Sequence, residues 1–261
     1  MKVKNIIWII ALIAVIALIA VVGYGYFKKA TMDGKRPIAT MEVENYGTIK
    51  MELYPELAPE TVANFVNLSN RGFYDGLTFH RIVKDFMIQG GDKNGDGTGS
   101  ATIADLTEGG ADAEYTIKGE FVANNVKNTL KFEEGIIGMA RSDYTSYSPD
   151  LAEESYNSGS SQFFIVTKES QFLNGYYTAF GKVIEGLDIV HKIEEAEVKV
   201  ADNSSETGNT EVSTPVNPPK ITSMKVETFG VNYELPETLT PFNYMAWLYS
   251  QYGIDPNNLA Q

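Results

Sequence analysis

The sequence predicts a mainly β protein: a closed antiparallel barrel with helical caps, behind an N-terminal transmembrane helix. Three observations carry that expectation. One long apolar run opens the chain, many short β-type runs follow between Gly-containing turns, and only two helical patterns interrupt them.

Ile6 to Val22 is an unbroken apolar run of 17 residues, and Gly23-Tyr24-Gly25-Tyr26-Phe27 prolongs it to 22. At ~1.5 Å per residue, a helix of that length matches the ~30 Å hydrocarbon core of a bilayer. Trp8 and the pair Tyr24 and Tyr26 sit near its ends, where interfacial aromatics belong. Residues 1–29 are therefore read as a single-pass anchor. The alternative is a signal segment cleaved near Gly23-x-Gly25 and a secreted body. Lysines flank both ends, so the positive-inside rule does not orient it. The cysteine-free body suits an extracytoplasmic position.

Residues 30–37 read as a polar tether. Ile38–Val43 and Thr48–Leu53 form a predicted hairpin around Asn45-Tyr46-Gly47. Pro59 is placed to open a helix whose Val62, Phe65, Val66 and Ser69 share one face. Thr78–Val83, Phe86–Gln89, Ile136–Ala140, Gln162–Thr167 and Thr178–Val183 are further strands. A second helix is expected from Gly186, with Leu187, Val190, His191 and Ile193. Residues 202–219 are polar and Pro-rich and read as a loop, and Lys220–Phe229 alternates as a last strand.

Composition narrows the chemistry. The absence of cysteine excludes disulfides, Cys-zinc sites, iron–sulfur clusters and thiol nucleophiles, and two histidines make a multi-histidine metal site implausible. The net charge is −13. Residues 1–29 hold four lysines and no acid, leaving 17 basic against 34 acidic residues in the rest. Such a body repels phosphate backbones, so nucleic acid is not an expected partner. Asp92-Lys93-Asn94-Gly95-Asp96-Gly97 opens like a calcium loop, but the twelfth position is Ile103 rather than glutamate, and a plain turn is the better reading. No metal and no cofactor is expected.

One segment resists a purely structural reading: Phe79-His80-Arg81, then Phe86-Met87-Ile88-Gln89-Gly90-Gly91-Asp92. It resembles the signature of the cyclophilin family of peptidyl-prolyl isomerases. Gly97-Thr98-Gly99, Gly135–Arg141, Ser161–Thr167, Phe172-Leu173-Asn174-Gly175, Tyr177 and Phe180-Gly181-Lys182-Val183 are similar to further family motifs in the same order. The resemblance spans about residues 38–230 and points to a bacterial-like, membrane-anchored member, with residues 231–261 as a C-terminal extension.

The resemblance implies an eight-stranded antiparallel barrel closed by two helices, and catalysis of rotation about X–Pro bonds in polypeptides. No cofactor or covalent intermediate is needed. Arg81 matches the family's catalytic arginine and Gln89 the glutamine that orients it. Phe86, Met87, Phe164 and Leu173 match the proline pocket, and Ala140 and Gln162 match neighbouring substrate contacts. Three positions depart. Phe172 stands where eukaryotic members have tryptophan, Tyr177 where they have histidine, and Arg141 where they have asparagine. The first puts cyclosporin affinity in doubt, the last a contact to substrate backbone. His80 and His191 read as structural.

Two segments depart from the resemblance: 142–160 is longer than the usual loop before the Ser161–Thr167 strand, and the tail beyond Gly230 lies outside the family core. Residues 142–160 carry four acids, three tyrosines and no Lys or Arg. They form either a passive surface insertion or a lip of the substrate groove that favours basic or aromatic clients. In the tail, Phe242, Met245, Ala246 and Tyr249 share a helical face over Pro241–Tyr252, either docked on the barrel or recruiting a partner. The expected function is an isomerase assisting the folding of exported proteins at a membrane surface. It acts as a monomer on proline-containing polypeptides and is tethered by its N-terminal helix. The alternative is a tethered proline-binding module with little turnover.

Overall fold

The alternation in Ile38–Val43 (β1) buries Ala39, Met41 and Val43 and leaves the intervening residues half-buried. Gly47–Leu53 (β2) does the same with Ile49, Met51 and Leu53. The two pair from Ile38↔Glu52 to Val43↔Gly47. A computed structural model describes residues 35–200 and 211–254. The apolar run Ile6–Val22 and the tether up to residue 34 lie outside the described residues. Among the described ones no helix is long and apolar enough to cross a membrane.

Six more strands complete the main sheet: Arg81–Val83 (β3), Met87–Gly90 (β4), Ile136–Met139 (β6), Phe163–Val166 (β7), Ala179–Glu185 (β8) and Ile221–Glu227 (β11). Their spatial order is β11-β1-β2-β8-β6-β7-β4-β3, and every pairing is antiparallel. The sheet curls into a half-barrel. The expected closed barrel is corrected here: the outermost strands β3 and β11 share no ladder. They are joined by the lone bridge Thr78↔Lys220, flanked by bonds from Phe79 N–H to Pro219 C=O and from Ile221 N–H to Leu77 C=O. Pro218 and Pro219 have no N–H to donate, so a ladder cannot propagate through them. Residues 78–80, expected in a strand, therefore stay outside β3.

Pro59–Asn70 (α1) starts with Pro at its first turn, as the sequence suggests. The Glu120 carboxylate accepts the N–H groups of Glu60 at 3.0 Å and Thr61 at 2.8 Å, which satisfies two of the helix's orphan donors. Val62, Phe65, Val66 and Leu68 enter the main core, where Phe65 packs edge-on to Phe163 with ring centres 5.6 Å apart. Leu187–Glu194 (α4) follows Gly186, whose φ of +83° and closeness to Thr48 C=O admit only glycine comfortably.

Two helices in the body are an undercount: Ile103–Leu106 (α2) and Ala152–Tyr156 (α3) also form, and the helix expected in the tail runs over Tyr244–Gln251 (α5). Thr116–Ile117 (β5) pairs with Thr238–Leu239 (β12), which ties the tail to the body. The 202–219 loop is corrected as well: Val212–Pro215 (β10) pairs with Val198–Val200 (β9). Its Ser213 is buried, and Val216 N–H bonds Glu197 C=O at 2.8 Å. A run that is polar in composition can still form a short hairpin when one face meets the sheet.

Candidate active site

The site occupies the sheet face opposite the main core. In β4, Ile88 points into the main core while Met87 joins a second apolar cluster. In β7, Phe163 and Ile165 point in while Phe164 and Val166 join that cluster. Register then lines up the side chains. Arg81 faces Gln89 across β3–β4, Gln89 faces Phe164 across β4–β7, and Phe164 faces Gly138 across β7–β6. Gly138 is required there. A Cβ would lie 2.3 Å from Phe164 Cζ and 2.7 Å from Phe132 Cε1, and those two rings stack with centres 5.5 Å apart.

Arg81, Phe86, Met87, Gln89, Ala140, Arg141, Phe164, Phe172, Leu173 and Tyr177 together line one cavity of about 250 Å³. Gln162 lines the adjoining polar cavity of about 260 Å³, which shares Gln89, Ala140 and Arg141 with the first. The expected site residues thus come together in one groove with two compartments, one apolar and one rich in hydroxyls.

A polar relay runs along the groove floor. Arg81 Nη1 donates to Gln89 Oε1 at 3.2 Å and lies 3.8 Å from Met87 Sδ. Gln89 Nε2 donates to Gln162 Oε1 at 2.9 Å, and Gln162 Nε2 donates to the carbonyls of Gly97 and Gly99 at 3.1 and 2.9 Å. The Gly97-Thr98-Gly99 turn is itself held by Asp92, which accepts from the N–H groups of Asn94, Gly97 and Gly99. Asp92 thus serves the loop's own backbone, as a plain turn requires.

The three departures settle differently. Phe172 remains 68% exposed at the rim and leans on Phe86 with ring centres 5.3 Å apart. Tyr177 packs edge-on to Phe164 at 5.9 Å. Arg141 stacks over Tyr177 at 4.4 Å, while its Nε donates to Tyr176 C=O and its Nη1 to Ser142 C=O and Ser155 Oγ. Arg141 therefore joins the 142–160 insertion to the cavity wall. Ser142 and Ser158 of the insertion line the polar compartment.

One site residue escaped the sequence reading. Glu211 receives Arg81 Nε at 2.7 Å and Nη2 at 2.8 Å, a two-point pair, and Arg81 holds its carboxyl below the usual range. Nothing in a polar run 130 residues away singles out that acid. His80 is buried beside the site with both ring nitrogens unpartnered, and burial lowers its pKa. It lines neither compartment of the groove. Among the described residues, no three His, Cys, Asp or Glu side chains are placed to hold a metal ion.

A sequence model of the family described as "Cyclophilin type peptidyl-prolyl cis-trans isomerase/CLD" matches residues 38–226. The chain belongs to that family. It is a cyclophilin-type peptidyl-prolyl cis-trans isomerase. This cyclophilin is 40% identical over 156 residues to peptidyl-prolyl cis-trans isomerase B of Bacillus subtilis, covering 60% of its own length and 90% of that protein. It is 38% identical over 148 residues to human peptidyl-prolyl cis-trans isomerase-like 1, covering 56% of its own length and 74% of the relative. A solved cyclophilin type isomerase of Cryptosporidium parvum, crystallised in the presence of the dipeptide Ala-Pro, superposes with a TM-score of 0.56 at 27% identity. That match covers 73% of this chain and 98% of the other.

Proposed function

We propose that this cyclophilin catalyses X–Pro rotation with Arg81 as its catalytic residue, on exported polypeptides at a membrane surface. The observation that carries the reading is a guanidinium beside an apolar cavity, braced by a neighbouring glutamine. The proline ring is read into the pocket of Phe86, Met87, Phe164 and Leu173. The Ala-Pro dipeptide used with the Cryptosporidium parvum relative supports proline peptides as ligands.

The amide barrier is ~20 kcal/mol because twisting breaks resonance. As the bond twists, the prolyl nitrogen regains a lone pair. An Arg81 N–H donated to that lone pair is a contact made in the transition state and absent from the planar ground state, which is the condition for acceleration. Gln89 holds the guanidinium on one side and, through Gln162, ties it to the Gly97–Gly99 turn. Ala140 and Gln162 flank the path of the substrate backbone. The tether reading rests on the Ile6–Val22 run and on the membrane-spanning length it supplies.

X–Pro exchange in a model peptide, followed by NMR with the full-length chain in mild detergent, tests this. Fast exchange should drop by about a hundredfold or more in Arg81→Ala, which corresponds to ~2.7 kcal/mol of differential binding. Peptide binding without acceleration in the wild type would leave a proline-recognition module instead. Recovery of the intact chain from the aqueous phase after cell fractionation would refute the anchor.

A further inference from the structure

The catalytic-site arginine of this cyclophilin is gripped from a second side. Glu211 meets Arg81 with both carboxylate oxygens, at 2.7 and 2.8 Å, whereas Gln89 offers one neutral acceptor at 3.2 Å. A single contact lets a guanidinium pivot. Two parallel contacts define its plane. Glu211 is not one of the residues that line the apolar cavity, while Arg81 is. The carboxylate therefore holds Arg81 without taking the proline's place.

The grip is also built rather than incidental. The residue after Glu211 begins β10, which pairs with β9 through Val212↔Val200 and packs against β3, the strand that carries Arg81. Ser213, two residues on, is buried. The backbone that presents the carboxylate is thus seated on the same sheet edge as its partner.

We propose that Glu211 is a positioning residue: its two-point pairing fixes the Arg81 guanidinium so that the N–H groups left over face the twisting bond. The claim rests on the role assigned to Arg81 above. A carboxylate so close has two opposing effects. It restrains geometry, which raises the rate, and it dilutes the positive charge, which lowers it. Both side chains of the pair are 33% exposed, so water screens the charge effect. The geometric restraint is not screened, and restraint wins.

The two effects predict opposite results, which makes them separable. The measurement is NMR exchange of a model X–Pro peptide by the full-length chain, as wild type, Arg81→Ala, Glu211→Ala and Glu211→Gln. If Glu211 positions Arg81, Glu211→Ala lowers kcat about tenfold with KM within about twofold. Glu211→Gln, which keeps an acceptor for Nε–H and loses the charge, recovers a large part of the rate. The Arg81 Nε–H resonance should exchange slowly with water in the wild type and quickly in Glu211→Ala. A Glu211→Ala rate at or above wild type overturns the proposal, because charge dilution would then dominate. So does a loss confined to KM, or a Glu211→Gln rate no better than Glu211→Ala. A wild type no faster than Arg81→Ala sinks the reading of the site itself, and the positioning role with it.

Discussion

The apolar cavity and the accessory face made by the insertion and tail are ordered by different means. The cavity is an outer face of the sheet. Its side chains are set by strand alternation and ladder register, with Arg81, Gln89 and Phe164 opposite one another on neighbouring strands. The accessory face has little ladder: Thr238–Leu239 pairs with Thr116–Ile117, Gly159 bridges Ile117, and aromatic rings hold the rest. Tyr144 meets Phe242 with ring centres 5.1 Å apart, Tyr147 meets Tyr244 at 4.5 Å, and Tyr244 stacks on Trp247 at 5.7 Å. Helix α5 thus rests on the insertion rather than on the half-barrel, and none of its residues is fully buried. Backbone-set geometry gives the rigidity that catalysis requires, whereas ring-on-ring packing on an exposed face gives a seat that is easily loosened.

The largest effect should come from breaking the cavity's own packing. Gly138→Ala puts a methyl into the space of the Phe164 and Phe132 rings, and overpacking of that kind costs ~1–3 kcal/mol. Denaturant unfolding measures it, and KM for an X–Pro peptide should rise as Phe164 shifts. A variant within about 0.5 kcal/mol of wild type would mean that the stack adjusts freely and that register does not set the pocket. The matching test on the accessory face is Tyr244→Ala. It removes aromatic pairs worth ~0.5–1.5 kcal/mol, so the tail beyond residue 241 should be cleaved faster by protease while X–Pro turnover stays within about twofold. Turnover that falls with the tail would erase the contrast and make the insertion part of the groove.

The same contrast explains what could be read beforehand. Alternation placed β1, β2 and the buried face of α1, and the motif positions placed Arg81, Phe86, Met87, Gln89, Phe164 and Leu173, because these depend on local period and on short-range order along the chain. The half-barrel's open edge turned on two prolines beside β11, whose effect on closure depends on which strand they face. The β9–β10 hairpin and Glu211 were illegible because an acid in a polar run gains meaning only from the guanidinium it meets in space. Arg141 was read as a replaced substrate contact. Its bonds to Ser155 Oγ and Tyr176 C=O show a brace for the insertion, and those bonds depend on a fold of residues 142–160 that no periodicity announces.

Helix α4 links the comparison to pH, with the smallest effect. Glu194 accepts from Asp85 N–H at 2.8 Å, in the turn that joins β3 to β4, and also receives Thr167 Oγ1. His191 Nδ1 lies 3.1 Å from Glu194 Oε2 and Nε2 lies 2.9 Å from Glu134 Oε1. The bond to Glu194, then that to Glu134, raises the imidazole pKa above 6.5. A raised folded-state pKa means that the charged form is favoured by folding. Its contribution is therefore complete below pH 6.5 and fades as pH climbs through the folded value. At 40% side-chain exposure, water keeps that contribution small. The difference in Tm between wild type and His191→Gln should be largest near pH 5.5 and shrink by pH 8.5, where the neutral ring differs little from an amide. A difference that stays constant, or widens with rising pH, would mean that the histidine acts through packing and that the brace on the Arg81 hairpin is insensitive to its charge.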